Sequence, residues 1–387
     1  MQVLALAASG TRLLVEQQCR ALGLRVVESH REGVDLELTP AELAVALVHL
    51  RVATRLLVRL IEFPAIDADS LYEGAWGVDW SRWLHPDATF AIHASGDLTP
   101  STPGRRGLDH HLFVSLRIKD AIADQLTRKM GRRPDVHRQD PDVRIVARGL
   151  KGHWHLFLDA SDPPLHERGF REQPGPAPLK ETLAAALVAH ADWQGQGRLH
   201  DPLCGSGTLI IEAVHRHLAI APGATRTFGV ERWPHQGDQM RALLDDVRDA
   251  AVEHARKQLQ NADLDVCASD ISPQAVQATQ VNVRAAGLSR VVRVTQQDVL
   301  TLTPPPPGTL ILGNPPYGER LGGSEVVALY EQMGSHFKTF LDSTLWLVDG
   351  HPAFAEAIGL PTLQAHEFYN GPLKIVWRQL GVPRKLA

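Results

Sequence analysis

Four consecutive residues, Asn314-Pro315-Pro316-Tyr317, have the chemical types and the spacing needed to position a planar amine. They follow residues 309–313, an apolar run typical of a buried parallel strand, and open α/β sheets bind ligands at such strand ends. Proline restricts its own φ and the preceding residue, so the loop should be stiff. The Asn314 side-chain oxygen and the Pro315 carbonyl could then accept hydrogen bonds from one NH2 group, with Tyr317 stacked on its ring. The tetrad favours methylation of an amine nitrogen whose lone pair is delocalised; a proline-rich turn without function is the alternative.

A glycine-rich loop lies upstream, between a predicted strand near Leu199 and a predicted helix over residues 207–217. Glycine lets backbone N–H groups approach a ligand closely, and the start of a helix adds positive potential. The loop lacks the lysine of a P-loop and the third glycine of a dinucleotide fingerprint. Asp201, at the strand end, suits the amino-acid part of a cofactor. The other predicted cofactor contacts in this loop are Cys204, Gly205, Ser206, Gly207 and Thr208, with Cys204 interpreted as a small-residue filler because no histidine partner is evident.

Acidic residues also end the next two predicted strands. Asp270 follows the second, where a carboxylate can accept hydrogen bonds from ribose hydroxyls, and Asp298 follows the third, where it could accept from an adenine amine. The predicted contacts beside them are Ile271, Gln297, Val299 and, from the tetrad, Asn314. Each acid alone could simply cap a helix, but four strand-end groups in order describe a nucleoside with an aminoacyl tail beside an amine. S-adenosylmethionine fits that description, and no metal site is predicted.

The elements that must position these residues alternate between strand and helix in the second half of the chain. This alternation predicts an α/β fold with a parallel, doubly wound, Rossmann-like sheet. The strands are predicted near Leu199 and Val266 and over 291–295, 309–312 and 345–348, and the helices over 179–190 (starting from Pro178), 207–217, 273–286 and 326–341. An insert over 219–260 carries a long polar helix. The last segments, 366–369 and 373–378, predict a hairpin.

The first half of the chain is predicted to be α+β. Strands are predicted over 3–7, 24–28, 34–38, 51–61, 89–93, 143–148 and 153–158, with helices over 11–21, from Pro40, and over 110–130. Thr39 and Pro40 supply a cap and a first-turn proline for the second of these helices. The tract 159–178 is rich in proline, glycine and charge, so it is interpreted as a linker.

Length and composition bound the class of protein. A chain of 387 residues is too long for one ordinary domain. No apolar stretch reaches the roughly 18 residues of a membrane span, and the N-terminus lacks the basic region of a signal peptide. The three cysteines have no metal-type spacing. We therefore expect a cytoplasmic protein.

Charge is distributed unevenly along the chain. The formal net charge is −4, yet residues 101–155 hold 12 Lys/Arg against 6 Asp/Glu. A local excess of cations suggests a surface that faces phosphates. The predicted contacts are Arg128, Lys129, Arg132 and Arg133, near the end of the long helix. Stabilisation of the helix dipole is the alternative explanation for cations at that place.

Several motifs resemble the bacterial THUMP-domain RNA guanine-N2 methyltransferases, most closely those that methylate 23S ribosomal RNA. They are residues 201–208, 221–233, and 314–321 followed by Leu329-Tyr330, together with the linker segments 166–171 and 178–182. The resemblance covers nearly the whole chain, most strongly from about residue 165. It implies a ferredoxin-like subdomain at 1–52, a THUMP RNA-binding domain at 53–160, a linker at 161–177 and a Rossmann-like methyltransferase domain at 178–387.

The resemblance also implies roles for individual residues. Asp201, Gly205 and Gly207 would hold the methionine part of S-adenosylmethionine, Asp270 the ribose and Asp298 the adenine. The tetrad would hold a guanine, and Arg128, Lys129, Arg132 and Arg133 would contact RNA. The sequence departs from the pattern at Ser269, where relatives often have glycine. Arg168 and Arg171 are open between a cofactor or phosphate contact and a salt bridge, while Glu319 and Arg320 are expected only to brace the loop.

Three other functions stay open at this point. A tRNA guanine-N2 methyltransferase would use the same fold and tetrad. A DNA-adenine or protein-glutamine methyltransferase would share the tetrad but not the THUMP-like first half. A non-catalytic RNA-binding or ribosome-assembly factor would retain the fold without binding the cofactor. Relatives sometimes carry a second methyltransferase domain, and because this sequence ends at Ala387 we expect a single activity.

Overall fold

The computed structural model describes residues 1–103, 106–172, 179–317 and 323–384. The strands within these ranges are β1 (Gln2–Leu6), β2 (Arg25–His30), β3 (Gly33–Glu37), β4 (Arg55–Pro64), β5 (Thr89–Gly96), β6 (Asp135–Val136), β7 (Val143–Leu150), β8 (His153–Asp159), β9 (Leu199–Asp201), β10 (Val266–Asp270), β11 (Val292–Gln296), β12 (Leu310–Gly313), β13 (Thr344–Asp349), β14 (Thr362–Asn370) and β15 (Leu373–Leu380). The predicted helix start at Pro178 and the loop residues Glu319 and Arg320 lie outside the described residues.

The α-helices of the described ranges follow the predicted pattern with a few additions. They are α1 (Arg12–Ala21), α2 (Pro40–His49), α3 (Ala68–Trp76), α4 (His111–Met130), α5 (Glu181–Ala191), α6 (Thr208–His217), α7 (Gly237–Asn261), α8 (Pro273–Ala285), α9 (Gly323–Phe337) and α10 (Phe354–Ala357). The predicted cap of α2 is confirmed, because the Thr39 hydroxyl accepts from the Glu42 amide at 3.3 Å.

The first half of the chain forms one eight-stranded sheet in the order β2-β3-β1-β4-β8-β7-β5-β6. Its alternate residues build a shared core with the helices; Val3, Leu56 and Ile145 are all fully or almost fully buried. β1 pairs with β4 in the register Val3↔Val58. The sheet is therefore continuous across residues 52 and 53, and the domain division predicted there stays a prediction.

In this half, one predicted strand begins at a different residue and one helix was not predicted. The strand predicted from Arg51 begins at Arg55, because the Arg51 and Val52 amides donate to the Gln18 side chain and Thr54 bonds to Leu6. Helix α3 was not predicted from the sequence. It begins where the Asp67 carboxylate accepts from the Ser70 amide, at 2.9 Å.

The second half forms a seven-stranded sheet in the order β11-β10-β9-β12-β13-β15-β14. Strands β9 to β13 run parallel, and β15 runs antiparallel to β13 and β14. The predicted doubly wound α/β fold is confirmed. Successive strands are added on one side of β9 (β10, β11) and then on the other (β12, β13), and this switch between β9 and β12 creates the crevice at the carboxyl edge where such sheets bind ligands. Asp201 and Asn314 lie on the two sides of that crevice.

A buried ion cluster joins the two halves. The Arg168 guanidinium pairs with the Glu212 carboxylate in α6 and donates to the Arg51 carbonyl, and all three residues are less than one-tenth exposed. Arg51 in turn donates to the His215 carbonyl at 3.0 Å. Of the roles left open for Arg168, the structure shows the salt bridge. The arrangement ties the first sheet to the helix that follows the glycine-rich loop.

Candidate active site

The glycine-rich loop turns back on itself at two glycines. Gly205 and Gly207 have φ of 54° and 81°, and a Cβ at Gly207 would lie only 3.0 Å from the Thr279 side chain. Helix α8 fixes this loop: the Thr279 hydroxyl donates to the Gly205 carbonyl and the Asn282 amide donates to the Ser206 carbonyl, each at 2.9 Å. Helix α6 begins shortly after the carboxyl end of β9, so its first N–H groups lie at that edge of the sheet, and no side-chain cap accepts from them.

Residues at the ends of the loop have clear partners. The Thr208 hydroxyl accepts from Arg171 at 3.0 Å, and Arg171 also lies 3.0 Å from the Glu181 carboxylate. The Cys204 thiol is buried with its sulfur 3.3 Å from the Thr279 hydroxyl, and burial raises its pKa well above the usual thiol value. The thiol is therefore a packing group, as the sequence indicated.

Asp201 is a buried acid at the end of β9. It is 1 % exposed, and one of its carboxylate oxygens accepts from the Leu203 amide at 3.1 Å. Burial, with a contribution from nearby Asp270, raises the pKa of Asp201 to about 8. A carboxyl held in this state suits a cationic ligand, because a positive charge beside it would restore the ionised form.

The other two strand-end acids both bond to backbone. The two Asp270 oxygens accept from the Gly205 and Ser272 amides, at 3.0 Å each, and so hold the glycine-rich loop against β10. Asp298 accepts from the Leu300 amide at 2.9 Å and caps a short 3₁₀ turn. These caps are the structural roles that the sequence left open, and the proposed ribose and adenine contacts remain predictions.

The residues beside these acids include one exposed apolar side chain. Ile271 is 62 % exposed although it is apolar, and it directly follows Asp270. The Gln297 amide donates to the Asp270 carbonyl at 3.0 Å, and Val299 is buried beneath the turn. The structure thus brings the predicted cofactor residues of three neighbouring strands to one edge of the sheet.

The tetrad after β12 carries an unusual acceptor. The Asn314 Oδ1 atom is buried and has no hydrogen-bond partner among the residues that the structure describes. Buried polar atoms are usually paired, and among the atoms without a partner in the described residues this acceptor lies at the strand-end crevice. The neighbouring loop is held firmly, since the Tyr330 hydroxyl donates to the Pro316 carbonyl at 2.6 Å. Burial raises the pKa of Tyr330 to about 12, so its hydroxyl remains a donor.

Tyr317 has two contacts, with Gly350 and with Asn370, that were not predicted from the sequence. A Cβ at Gly350 would lie 2.6 Å from the Tyr317 ring, so only glycine lets the ring lie this close to the chain after β13. The Asn370 side chain donates to the Tyr317 hydroxyl at 3.5 Å. Sequence reasoning missed Gly350 and Asn370 as parts of the site. The glycine after a strand and the Asn-Gly-Pro turn were the available signals.

The predicted cation surface lies in the first half of the chain, at the end of α4. Gly131 ends this helix with φ of 71°, and Arg128, Lys129, Arg132 and Arg133 are all exposed. Lys129 pairs with Asp79 at 2.6 Å, and Arg132 pairs with Asp87. These pairs neutralise part of the local charge, and an RNA contact here remains a prediction.

Comparison with known proteins places this geometry in a family. Residues 168–379, more than half of the chain, match the UPF0020 family, whose description is an RMKL-like methyltransferase domain. Residues 65–159 match the THUMP domain. The chain belongs to the RMKL-like methyltransferase family. The RMKL-like match includes every candidate cofactor and tetrad residue, and the THUMP match includes the four predicted cations. The resemblance inferred from the motifs is confirmed.

Curated members similar to this chain are bacterial. The ribosomal RNA large subunit methyltransferase K/L of Psychromonas ingrahamii is 33% identical over 383 residues, which are 98% of this chain and 50% of that protein. The Pseudomonas putida protein of the same name is 36% identical over 380 residues, 94% of this chain and 50% of its own. This RMKL-like chain therefore spans about half the length of the curated relatives that it matches.

Solved structures share the whole RMKL-like architecture with its THUMP-containing first half. The crystal structure of SMU.472 complexed with SAH has a TM-score of 0.85 and 28% identity, and the match covers 100% of this chain and 99% of that one. A predicted N6-adenine-specific DNA methylase from Listeria monocytogenes has a TM-score of 0.84 and 29% identity, with 99% and 96% covered. No helix within the described ranges is long and apolar enough to cross a membrane.

Proposed function

We propose that this chain is an S-adenosylmethionine-dependent methyltransferase that acts on the exocyclic N2 of a guanine in RNA, with 23S ribosomal RNA as its substrate. The single observation that carries the proposal is the buried Asn314 Oδ1 at the carboxyl edge of the sheet, which has no hydrogen-bond partner among the described residues. An amine donor completes that site, whereas a simple structural turn would leave the buried acceptor unpaired, at a cost of about 1–3 kcal/mol.

The residues present fit the proposed cofactor. The buried Asp201 suits the ammonium of an aminoacyl tail, and the uncapped start of α6 suits its carboxylate. Each Asp270 carboxylate oxygen already accepts one backbone hydrogen bond and can accept a second, from a ribose hydroxyl. The exposed Ile271 offers an apolar surface to the adenine face. When bound, S-adenosylmethionine supplies an electrophilic methyl group.

The chain itself positions the target amine. Asn314 Oδ1 and the Pro315 carbonyl accept its two hydrogens, and this directs the nitrogen lone pair toward the cofactor pocket. A strong general base is unnecessary, since the amine becomes acidic as its bond to carbon forms. Tyr317, supported by Gly350, stacks on the guanine ring. Such stacking contributes about 1–3 kcal/mol and offsets much of the few kcal/mol that base extrusion costs.

Two comparisons support RNA, and ribosomal RNA in particular, as the substrate. The first half of the chain matches the THUMP domain, and the curated relatives are named for the large ribosomal subunit RNA. The cation surface at the end of α4 would bind the RNA through phosphates and shape rather than sequence. The exocyclic amine of a guanine has two hydrogens, which can bond to the two acceptors of the tetrad.

Substitution of Asn314 tests the proposal. Asn314→Ala removes the acceptor, so we expect RNA methylation to fall by at least about a hundredfold, as for loss of one key polar contact in a transition state. The cofactor dissociation constant, measured by calorimetry, should change far less. Asn314→Asp retains acceptor oxygens and is the matched control, and its activity should lie between that of the wild type and that of Asn314→Ala. An equal loss of cofactor affinity and turnover in Asn314→Ala would contradict the role given to this residue.

A further inference from the structure

The C-terminal hairpin reaches the active site. Strand β13 ends at Asp349, which pairs with Val376 of β15, and β15 continues past this point to Leu373. The turn of the β14–β15 hairpin therefore projects beyond the carboxyl edge of the sheet. The contact between Asn370 and the Tyr317 hydroxyl, at 3.5 Å, places the turn directly beside the tetrad.

An apolar side chain is exposed at that turn. Leu373 is 53 % exposed, and its cross-strand partner is Asn370, the residue that contacts Tyr317. The next residues on the same face, Phe368 and Ile375, are 1 % and 0 % exposed. On this face, burial is therefore lost between one cross-strand pair and the next. Leu373 is an exposed apolar group beside the surface assigned to the target base, and Tyr369, on the opposite face of the hairpin, is 42 % exposed.

The hairpin holds Leu373 in a fixed position. β14 and β15 pair without interruption from Gln364↔Gln379 to Asn370↔Leu373. Lys374 and Glu367 form an ion pair of 2.7 Å across the hairpin, and His366 stacks between His190 and Trp346 nearer its base. Leu373 is the exposed leucine at the turn, whereas Leu363 lies at the opposite end of the hairpin. A single leucine presents too little apolar area for a protein interface, but it matches the size of a single base step.

We propose that Leu373 inserts into the RNA base stack beside the extruded guanine and occupies the space that the base leaves. This inference rests on the proposed function, because it concerns the same target base. Apolar side chains that wedge between bases stabilise unstacked nucleic acid, and extrusion of a paired base costs a few kcal/mol. Tyr317 holds the extruded base on one side of Asn370, and Leu373 supports the opened helix on the other.

Two RNA substrates separate this role from simple binding. The first is a synthetic hairpin in which the guanine methylated by the wild-type protein is base-paired; the second carries the same guanine in a single-nucleotide bulge. For Leu373→Ala we expect kcat/KM to fall at least about tenfold on the paired hairpin but no more than about twofold on the bulge, where little stacking is lost. Leu373→Met, which keeps a long apolar side chain, should remain near the wild type on both.

A control and a second measurement complete the test. Leu363 is 60 % exposed at the opposite end of the same hairpin, and Leu363→Ala should not change either substrate. With 2-aminopurine in place of the target base, binding of the wild type to the paired hairpin should raise fluorescence, and Leu373→Ala should reduce that rise. The proposed insertion would be contradicted if Leu373→Ala and Leu363→Ala were equally active on the paired hairpin. It would also be contradicted if Leu373→Ala lost the same activity on the paired and the bulged RNA. Failure of the wild type to methylate either RNA would instead refute the proposed function.

Discussion

At the scale of single residues, the proposed site depends on two buried oxygen-bearing side chains, one of which suits a hydrogen-bond donor and the other a cation. Asn314 has an acceptor without a partner in the part of the chain that the structure describes, and burial raises the pKa of the Asp201 carboxyl to about 8, which keeps it largely protonated at neutral pH. In the proposed function, an amine donor pairs with the first and the ammonium of the cofactor pairs with the second. Both were identified from the sequence, because an apolar strand followed by a polar residue fixes which side chain reaches the carboxyl edge.

The raised pKa of Asp201 predicts how pH affects the protein. In the free protein the folded-state pKa of about 8 exceeds the ordinary value of 3.8. The contribution of this group to the free energy of unfolding is therefore complete below pH 3.8 and is lost as pH rises toward 8. A cationic ligand would favour the carboxylate, so cofactor binding should release a proton. We expect affinity for S-adenosylmethionine to increase with pH up to about 8, by at most about tenfold per pH unit.

Calorimetry at several pH values, in buffers with different ionisation enthalpies, measures this linkage. Asp201→Asn removes the titrating group and should abolish the pH slope of the dissociation constant. Asp298→Asn, which alters the half-exposed cap of the 3₁₀ turn, should keep the slope. A pH-independent affinity in the unaltered protein would show that Asp201 does not face a positive charge.

At the scale of elements, the sequence predicted what lies along each strand and helix but not what lies between them. The hydrophobic periods located β9 to β13 and their end residues within a few positions. The contacts of Tyr317 with Gly350 and Asn370 depend on the order β12-β13-β15-β14, which no local pattern encodes. For the same reason the loop clamp from Tyr330 in α9 was not predicted.

The cation surface at the end of α4 is an element-scale prediction. Arg132 and Arg133 are exposed beyond the C-cap glycine, although Arg132 pairs with Asp87. Reversal of both charges (Arg132→Glu with Arg133→Glu) should weaken RNA binding several-fold and lower its salt dependence, because phosphate contacts release counterions. Cofactor affinity should not change. Filter binding at several salt concentrations measures the effect, and charge reversal at Arg256, an exposed cation on α7, is the matched control. Unchanged RNA affinity would show that these two residues do not contact the RNA.

At the scale of the whole molecule, the two sheets form one unit joined through buried charge. The Arg168–Glu212 pair and the Arg51 carbonyl connect the first sheet to α6, whose start adjoins the glycine-rich loop. The linker composition predicted a connection here, but not its burial, since charged residues are seldom buried unless they are paired. This joint fixes the THUMP-containing half relative to the pocket in which the target base would be held.

The measurement that tests the central claim most directly is transfer of labelled methyl from S-adenosylmethionine to total RNA from a strain that lacks the gene. The RNA is fractionated into ribosomal and transfer RNA and then digested to nucleosides. We predict label in N2-methylguanosine from the large ribosomal RNA. Label in the same nucleoside from transfer RNA would keep the chemistry and replace the substrate. Label in a different nucleoside, or none in RNA while the protein binds the cofactor, would contradict the account.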